Sequence, residues 1–360
     1  MAAWQVAFRA LAFAATLASA TPGHAAGAAA EATAEQATAP EALAPAGSGA
    51  PDDGAADDGV VVPAVLARMG TGSIAGVYFP VGVALCRLAN QHRAETGLRC
   101  AATQTAGSVA NVAGLADGSL SFAIVQSDAL AQAVAGSGAF AAAGPDTGLR
   151  AVMGLYPEAL TLVARADAGV ARVEDLAGKR VALGAEGSGT RSLADALMGA
   201  LGWTAASFGA TPDIAPERLG QALCDKQIDA FFVAIGHPAR VVQEATTSCD
   251  ARLVPVEGAA VDAMVKREPI YVAATIPGGL YRGTAGPVDT FGVSATLVTT
   301  ASVPDATVAV LVRSVVDDLD MLRGLEPVLA GLDRREMLAA AAVAPLHPTA
   351  AAIYHERRWR

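Results

Sequence analysis

Residues 70–76 read GTGSIAG and stand between an apolar stretch, VVPAVLARM (61–69), and a helix-like segment, VYFPVGVALCRLANQ (77–91). This order predicts a strand, a glycine turn and a helix. Glycines before a helix allow positive φ and close backbone approach, and the first free N–H groups of the helix then face whatever lies in front of the turn. The stretch therefore predicts an anion-binding turn in an α/β fold.

Gly70, Gly72 and Ala75 also fit the loose form of a dinucleotide fingerprint. A phosphate-binding P-loop, however, needs a Lys after its glycines, and none follows here. A dinucleotide turn needs an acidic residue about 20 positions on, at the end of the second strand. Glu95 precedes that strand instead, so the sequence disfavours a nucleotide as the ligand.

From residue 60 onward, strand-like and helix-like runs alternate, which is typical of an α/β protein with mostly parallel sheets. A second glycine turn, GAEGSGTRS (184–192), again precedes a helix. The apolar segment LRAVMGLYPEALTLVARAD (149–167) suits a crossing between two lobes, and a return crossing is predicted around YVAATIPGGLY (271–281). We predict two lobes, each a mostly parallel sheet flanked by helices: residues 61–153 with 275–360, and residues 154–274.

The amino-terminal region differs in composition from the rest of the chain. Arg9 precedes an apolar run that ends in small residues, so residues 1–25 are interpreted as a secretory signal peptide. Residues 26–60 hold seven acidic residues and no Lys or Arg, which predicts a disordered acidic Ala/Pro-rich leader. We expect an exported, periplasmic protein without a membrane span and, since no basic run is present, no nucleic-acid partner.

The four cysteines form an even number in a chain predicted to leave the cytoplasm, where disulfides persist. Neighbours in sequence would pair as Cys86 with Cys100 and Cys224 with Cys249, although spacing alone permits three connectivities, and free thiols are the alternative. No C-x-x-C occurs and the five histidines lack ligand spacing, so no metal and no cofactor is expected.

Polar residues at strand ends are candidate ligand contacts, because open α/β sheets bind ligands there. One predicted strand ends in Gln126, Ser127 and Asp128, and another in Phe232 and His237. The sole imaginable catalytic pair is Ser188 with His237, and Ser188 has no G-x-S-x-G context. We therefore expect no enzyme and no catalytic residue.

Taken together, these segments resemble the TAXI-type solute receptors of TRAP transporters. The resemblance covers residues 66–359 in seven ordered blocks, among them GTGSIAGVYFPVGVALCRLAN, QALCDKQIDAFFVAIGHPARVVQEATTSCD and PLHPTAAAIYHE. It implies a two-lobed, type II-like periplasmic binding fold with crossing strands, and it supports the neighbour pairing of the cysteines. The ligand-binding positions it implies are Thr71, Gly72, Ser73, Tyr78, Gln126, Ser127, Asp128, Ser188, Gly189, Thr190, Phe232 and His237.

The resemblance also implies a function. The protein would bind a small carboxylate, such as glutamate, glutamine or a dicarboxylate, in an interlobe cleft and deliver it as a monomer to a membrane-embedded TRAP permease. The chain departs from the family pattern at Ser73, Ala75, Gln104 and Ala106, all beside the expected cleft. Two alternatives stay open: a periplasmic ligand sensor for a signalling receptor, and an exported serine hydrolase using Ser188.

Overall fold

The computed structural model describes residues 64–268 and 270–359. The predicted signal peptide and acidic leader lie outside the described residues. The strands are β1 Val65–Gly70, β2 Leu98–Thr103, β3 Phe122–Gln126, β4 Leu149–Arg165, β5 Val181–Ala182, β6 Ala230–Ile235, β7 Ala251–Val254, β8 Val272–Ile276 and β9 Val288–Thr300. The helices are α1 Tyr78–Gln91, α2 Arg93–Thr96, α3 Ser108–Ala116, α4 Ser127–Ala135, α5 Gly189–Leu201, α6 Leu219–Cys224, α7 Arg240–Ser248, α8 Ala259–Arg267, α9 Asp305–Asp317, α10 Leu319–Leu325, α11 Arg334–Ala339 and α12 Pro348–Glu356.

The strands form one sheet in the order β2-β1-β3-β9-β4-β6-β5, with β7 beside β4 and β8 beside β9. Pairing is parallel where a helix connects or separates the strands, in β1–β2, β1–β3 and β5–β6. It is antiparallel around the two long strands, β4 and β9. The predicted α/β class, a sheet flanked by helices, is confirmed, and the strand-turn-helix unit around GTGSIAG forms as β1 and α1.

The long strand β4 is the predicted first crossing. Its amino-terminal part pairs with the end of β9, and its carboxyl-terminal part pairs with β6 and β7. The return crossing predicted around residues 271–281 is wrong in position. β8 is a short and largely exposed strand that ends before Pro277, and β9 pairs with both β3 and β4.

Three apolar clusters surround the sheet. One, around Leu160, Leu193 and Phe232, is built from residues between 160 and 293. Another, around Leu130 and Phe140, covers the β3 side, and the largest extends from α1 to α9 and α12. The division into two lobes stays a prediction, and both predicted boundaries, 153/154 and 274/275, fall inside strands, β4 and β8.

The two predicted disulfides are confirmed. Cys86 on α1 is bonded to Cys100 on β2, and Cys224 at the end of α6 is bonded to Cys249 just after α7. The first bond therefore fastens α1 to the strand β2, and the second joins the carboxyl-terminal ends of α6 and α7.

Removing the first disulfide is expected to destabilise the protein. Closing a loop of this length lowers the entropy of the unfolded chain and is worth about 3 kcal/mol in the chain-entropy model. We expect Cys86→Ala with Cys100→Ala to lower the free energy of unfolding in urea by about that amount. The matched double variant of Cys224 and Cys249 should lose a similar amount. An unchanged unfolding midpoint in either double variant would contradict the stabilising role.

Candidate functional site

A cavity of about 270 Å³ lies where three helices begin. Pockets for drug-sized ligands measure about 300–1,000 Å³, so this cavity suits a small solute. The residues lining it come from both glycine turns, two other loops and one strand: 72–73, 76–78, 104–108, 185, 188–190, 216–217 and 233–235 at the end of β6, together with Gln126 and Glu158. Both glycine turns of the sequence therefore meet at one site.

The amino-terminal ends of α1, α3 and α5 face the cavity. Their first residues, Tyr78, Ser108 and Gly189, all lie on its wall. Each helix end carries N–H groups without intrahelical partners and a partial positive charge, which favours an anion by about 0.3–2 kcal/mol. Three such ends around one cavity provide the electrostatic means to hold a carboxylate.

The first turn is held by a buried amide. Asn111 Nδ2 donates to the carbonyl oxygens of Thr71 and Ile124 at 2.6 and 2.8 Å, and its Oδ1 accepts from Thr105 Oγ1 at 2.7 Å. A Cβ on Gly70 would lie 2.6 Å from Asn111 Oδ1. The glycine therefore makes room for the side chain that fixes the turn.

The second turn is tied to the sheet. Thr190 Oγ1 accepts from the backbone N–H of Ala234 on β6 at 3.0 Å, and the Ser188 hydroxyl accepts from the N–H of Arg191 at 3.2 Å. A Cβ built on Gly189 would lie 1.9 Å from Gln126 Oε1. Gly189 thus allows α5 to begin directly against the side chain at the end of β3.

Glu158 supplies a buried carboxyl on the cavity wall. The Tyr78 hydroxyl donates to Glu158 Oε2 at 2.7 Å. Burial raises the pKa of Glu158 to about 8; hydrogen bonds from Tyr78 and Gln126 oppose the shift, and the charge of Asp128 adds to it. Glu158 is not among the residues predicted from the sequence to bind the ligand. Its signal is that it is the one acid in the apolar segment that forms β4, Leu149–Arg165.

The model of the NMT1-like family matches residues 69–357. The chain belongs to the NMT1-like family. Its fold is similar to that of malate-bound MatC from Rhodopseudomonas palustris, with 14% identity, 82% of this chain and 97% of that chain covered, and a TM-score of 0.50. It also matches the aliphatic sulphonate binding protein SsuA from Escherichia coli, with 15% identity, 81% and 87% coverage, and a TM-score of 0.43.

A third match is the alkanesulfonate-binding protein SsuA from Xanthomonas axonopodis pv. citri, solved with MOPS, with 18% identity, 83% and 94% coverage, and a TM-score of 0.44. The NMT1-like chain therefore shares its fold with malate-bound MatC, and the two SsuA matches are described as sulphonate- and alkanesulfonate-binding proteins. Within residues 64–268 and 270–359, no helix is both long and apolar enough to cross a bilayer.

Seven of the twelve predicted ligand-binding residues lie on the cavity wall of this NMT1-like protein. They are Gly72, Ser73, Tyr78, Gln126, Ser188, Gly189 and Thr190. The structure thus brings together residues from both glycine turns and from one strand end. Their contact with a ligand stays a prediction.

Three predicted residues are buried beside the cavity and do not line it. The Thr71 hydroxyl donates to the carbonyl of Thr103 at 2.7 Å and so faces the neighbouring strand. Ser127 Oγ accepts from the N–H of Ser294 and ties α4 to β9. Phe232 packs in the cluster around Leu160, and its neighbour Val233 on β6 is the residue that faces the cavity.

Asp128 and His237 are also off the cavity wall. Asp128 is buried, its carboxylate oxygens lack a hydrogen-bond partner among the described residues, and burial raises its pKa to about 6. His237 lies 2.9 Å from Thr161 Oγ1 through Nε2 and 2.6 Å from the Tyr281 hydroxyl through Nδ1. Burial lowers its pKa to about 4, so the imidazole is neutral at pH 7.

The catalytic alternative finds no support in these contacts. The Ser188 hydroxyl donates to the carbonyl oxygen of Ala185 at 2.6 Å and caps α5, so its hydrogen bonds serve the turn. The imidazole of His237 is bonded to Thr161 and Tyr281 instead of a nucleophile. Ser188 therefore has no general base in hydrogen-bond contact within the described part of the chain.

A side-chain contact on the cavity wall joins two residues that are far apart in sequence. The Ser73 hydroxyl of the first turn donates to Glu217 Oε1, and both residues lie on the cavity wall. Glu217 belongs to a short 3₁₀ turn, Pro216–Arg218. A bond between residues so far apart in sequence holds the two sides of the cavity together.

Breaking this bond is expected to speed solute release. Because the contact is exposed, we expect Ser73→Ala to raise the dissociation rate about threefold to tenfold, with a smaller change in association. Ser73 Oγ also accepts from the N–H of Ala75, so a cycle with Glu217→Ala and the double variant isolates the pair. Stopped-flow experiments measure the solute dissociation rate of each variant. Additive effects of the two single variants would contradict the bond.

Proposed function

We propose that this NMT1-like protein is an extracytoplasmic solute receptor that binds a small carboxylate, such as glutamate, glutamine or a dicarboxylate, and delivers it to a TRAP permease as a TAXI-type receptor. The observation that carries the proposal is the meeting of two glycine turns and three helix ends around one small cavity. The predicted signal peptide and periplasmic location agree with it.

The proposal places the cavity between two lobes. One wall comes from residues 72–126 and the other from residues 185–235, which belong to the predicted first and second lobe respectively. A solute between them would contact both lobes and stabilise a closed arrangement. Ser73 and Glu217 would then hold the closed form in place.

Calorimetric titration of the mature protein tests the proposal. The panel consists of glutamate, glutamine, 2-oxoglutarate and other dicarboxylates, including the malate that MatC was solved with. We expect at least one solute to bind with one site per chain. No heat and no thermal shift across a broad panel of small carboxylates would contradict it.

Delivery to a permease needs its own experiment. We expect purified receptor to support solute uptake into vesicles that hold the permease encoded beside it, driven by an ion gradient. Solute binding without uptake would favour the sensor alternative, in which the loaded receptor docks on a signalling protein.

A further inference from the structure

The cavity is lined by acids and by no basic side chain. Among the described residues on its wall, the ionisable ones are Tyr78, Glu158 and Glu217, and no Lys, Arg or His is present. On the described wall, positive potential therefore comes from the starts of α1, α3 and α5. An anionic group of the solute can bind at these helix ends. A second anionic group, on the Glu158 side of the cavity, would lie against a carboxyl.

Hydrogen-bond acceptors lie side by side at the Glu158 end of the cavity. Glu158 Oε2 accepts a hydrogen bond from Tyr78 and the Gln126 side chain also bonds the carboxyl, but a carboxylate has lone pairs for further donors. Gln126 is 2% exposed and lines the same cavity, and its Oε1 has no hydrogen-bond partner in the part of the chain the structure describes. A buried acceptor without a donor is costly, so a bound solute gains by supplying one.

We propose that Glu158 and Gln126 form an acceptor subsite for a cationic donor of the solute, an ammonium group, so that the cavity selects a zwitterion over a dicarboxylate. The carboxylate of that zwitterion would lie at the helix ends and its ammonium against Glu158. This inference rests on the proposed solute-receptor function and names the chemistry its ligand must have.

The proposal makes binding depend on pH. Burial holds the pKa of Glu158 at about 8 in the empty cavity, so the carboxyl is protonated at pH 7. An ammonium group beside it favours the ionised form, and its binding releases a proton. The titratable groups that act on Glu158 are Tyr78 from α1, Asp128 from α4 and Tyr156 on β4, and all three are acids. Affinity should therefore rise from pH 6 and level off near pH 8.

Matched solute pairs provide the test. Each pair consists of an amino acid and its deaminated counterpart: L-glutamate with glutarate, L-aspartate with succinate, and L-glutamine with glutaramate. We expect the amino acid of a binding pair to bind about 10- to 100-fold tighter, since charge-assisted hydrogen bonds have that strength. Titrations at pH 7 in phosphate and in Tris, which differ in ionisation enthalpy, should show close to one proton released per solute bound.

Two variants separate the subsite from the rest of the receptor. Glu158→Gln keeps an acceptor for Tyr78 but removes the carboxylate, and we expect it to lose the preference for the amino acid and the proton release. Glu186→Gln removes an exposed carboxylate beside the cavity and should bind like the wild type. Equal or tighter binding of the deaminated solutes, or proton uptake with them, would overturn the inference and leave the receptor function standing. Binding of no solute at all would overturn both.

Discussion

Gly189→Ala should abolish most solute binding while leaving the fold intact. The added Cβ would lie 1.9 Å from Gln126 Oε1 and 2.3 Å from its Cδ, far inside van der Waals distance. Gln126 is buried at the end of β3, so its carboxamide has to move toward the cavity. Overpacking of this kind costs about 1–3 kcal/mol, and we expect an affinity loss of about 10- to 100-fold.

The same substitution should not harm the helix. Gly189 is the first residue of α5 and has no positive φ, so Ala fits the helix backbone, and the melting temperature should fall by no more than the overpacking cost requires. Gly199→Ala is the matched control, because it lies on the same helix and its Cβ would meet nothing within 4 Å. Calorimetric titration with the tightest-binding solute of the panel compares the affinities of the two variants. Wild-type affinity in Gly189→Ala would show that the cavity is not the binding site.

Glu158→Gln should become more stable than the wild type as pH rises. Burial disfavours the charge and raises the pKa of Glu158 from an ordinary 4.5 to about 8 in the folded protein. Between these pH values the unfolded chain has lost the proton and the folded chain keeps it, so the carboxyl destabilises the wild type progressively. Below pH 4.5 this contribution vanishes.

The expected difference is on the order of a few kcal/mol at pH 8 relative to pH 4. Gln preserves the acceptor for Tyr78, and Asp128 titrates in both proteins, so the difference isolates Glu158. Urea unfolding of solute-free protein across pH 4–8 measures it, with Glu186→Gln as the exposed control. A stability difference that stays flat with pH would show that Glu158 does not carry a raised pKa.

The glycine turns could be recognised in the sequence because their signal is local. A strand, glycines and a helix occur within a few residues, and this order places Tyr78 and Gly189 at helix starts, where the structure has them. The disulfides follow from the neighbour pairing, which the resemblance also supported. Features of this kind need no knowledge of how distant segments pack.

The residues that were missed or misplaced depend on distant packing. Glu158 lies on the cavity wall, and although it is the one acid in β4, that pattern does not reveal where the strand meets the cavity. Phe232 was placed one residue from the cavity-facing Val233, since strand alternation does not reveal which face meets the ligand. The Thr71 hydroxyl donates to the carbonyl of Thr103 instead of facing the cavity. This contact depends on the register between β1 and β2.

The second crossing was misplaced for a similar reason. Both β8 and β9 read as apolar extended segments, and length alone does not distinguish an edge strand from a crossing one. Pro277, Gly278 and Gly279 end β8 after Ile276, whereas β9 continues from Val288 to Thr300 without interruption. The glycines and proline mark the edge strand, and the uninterrupted run marks the crossing.

Native mass spectrometry of the mature protein, incubated with an equimolar mixture of amino acids and small dicarboxylates, tests the central claim that this cavity holds a small solute. We predict one solute adduct per chain in the wild type and in Gly199→Ala, and a much weaker adduct in Gly189→Ala. A wild-type spectrum without an adduct, or an adduct of equal intensity in Gly189→Ala, would contradict the account.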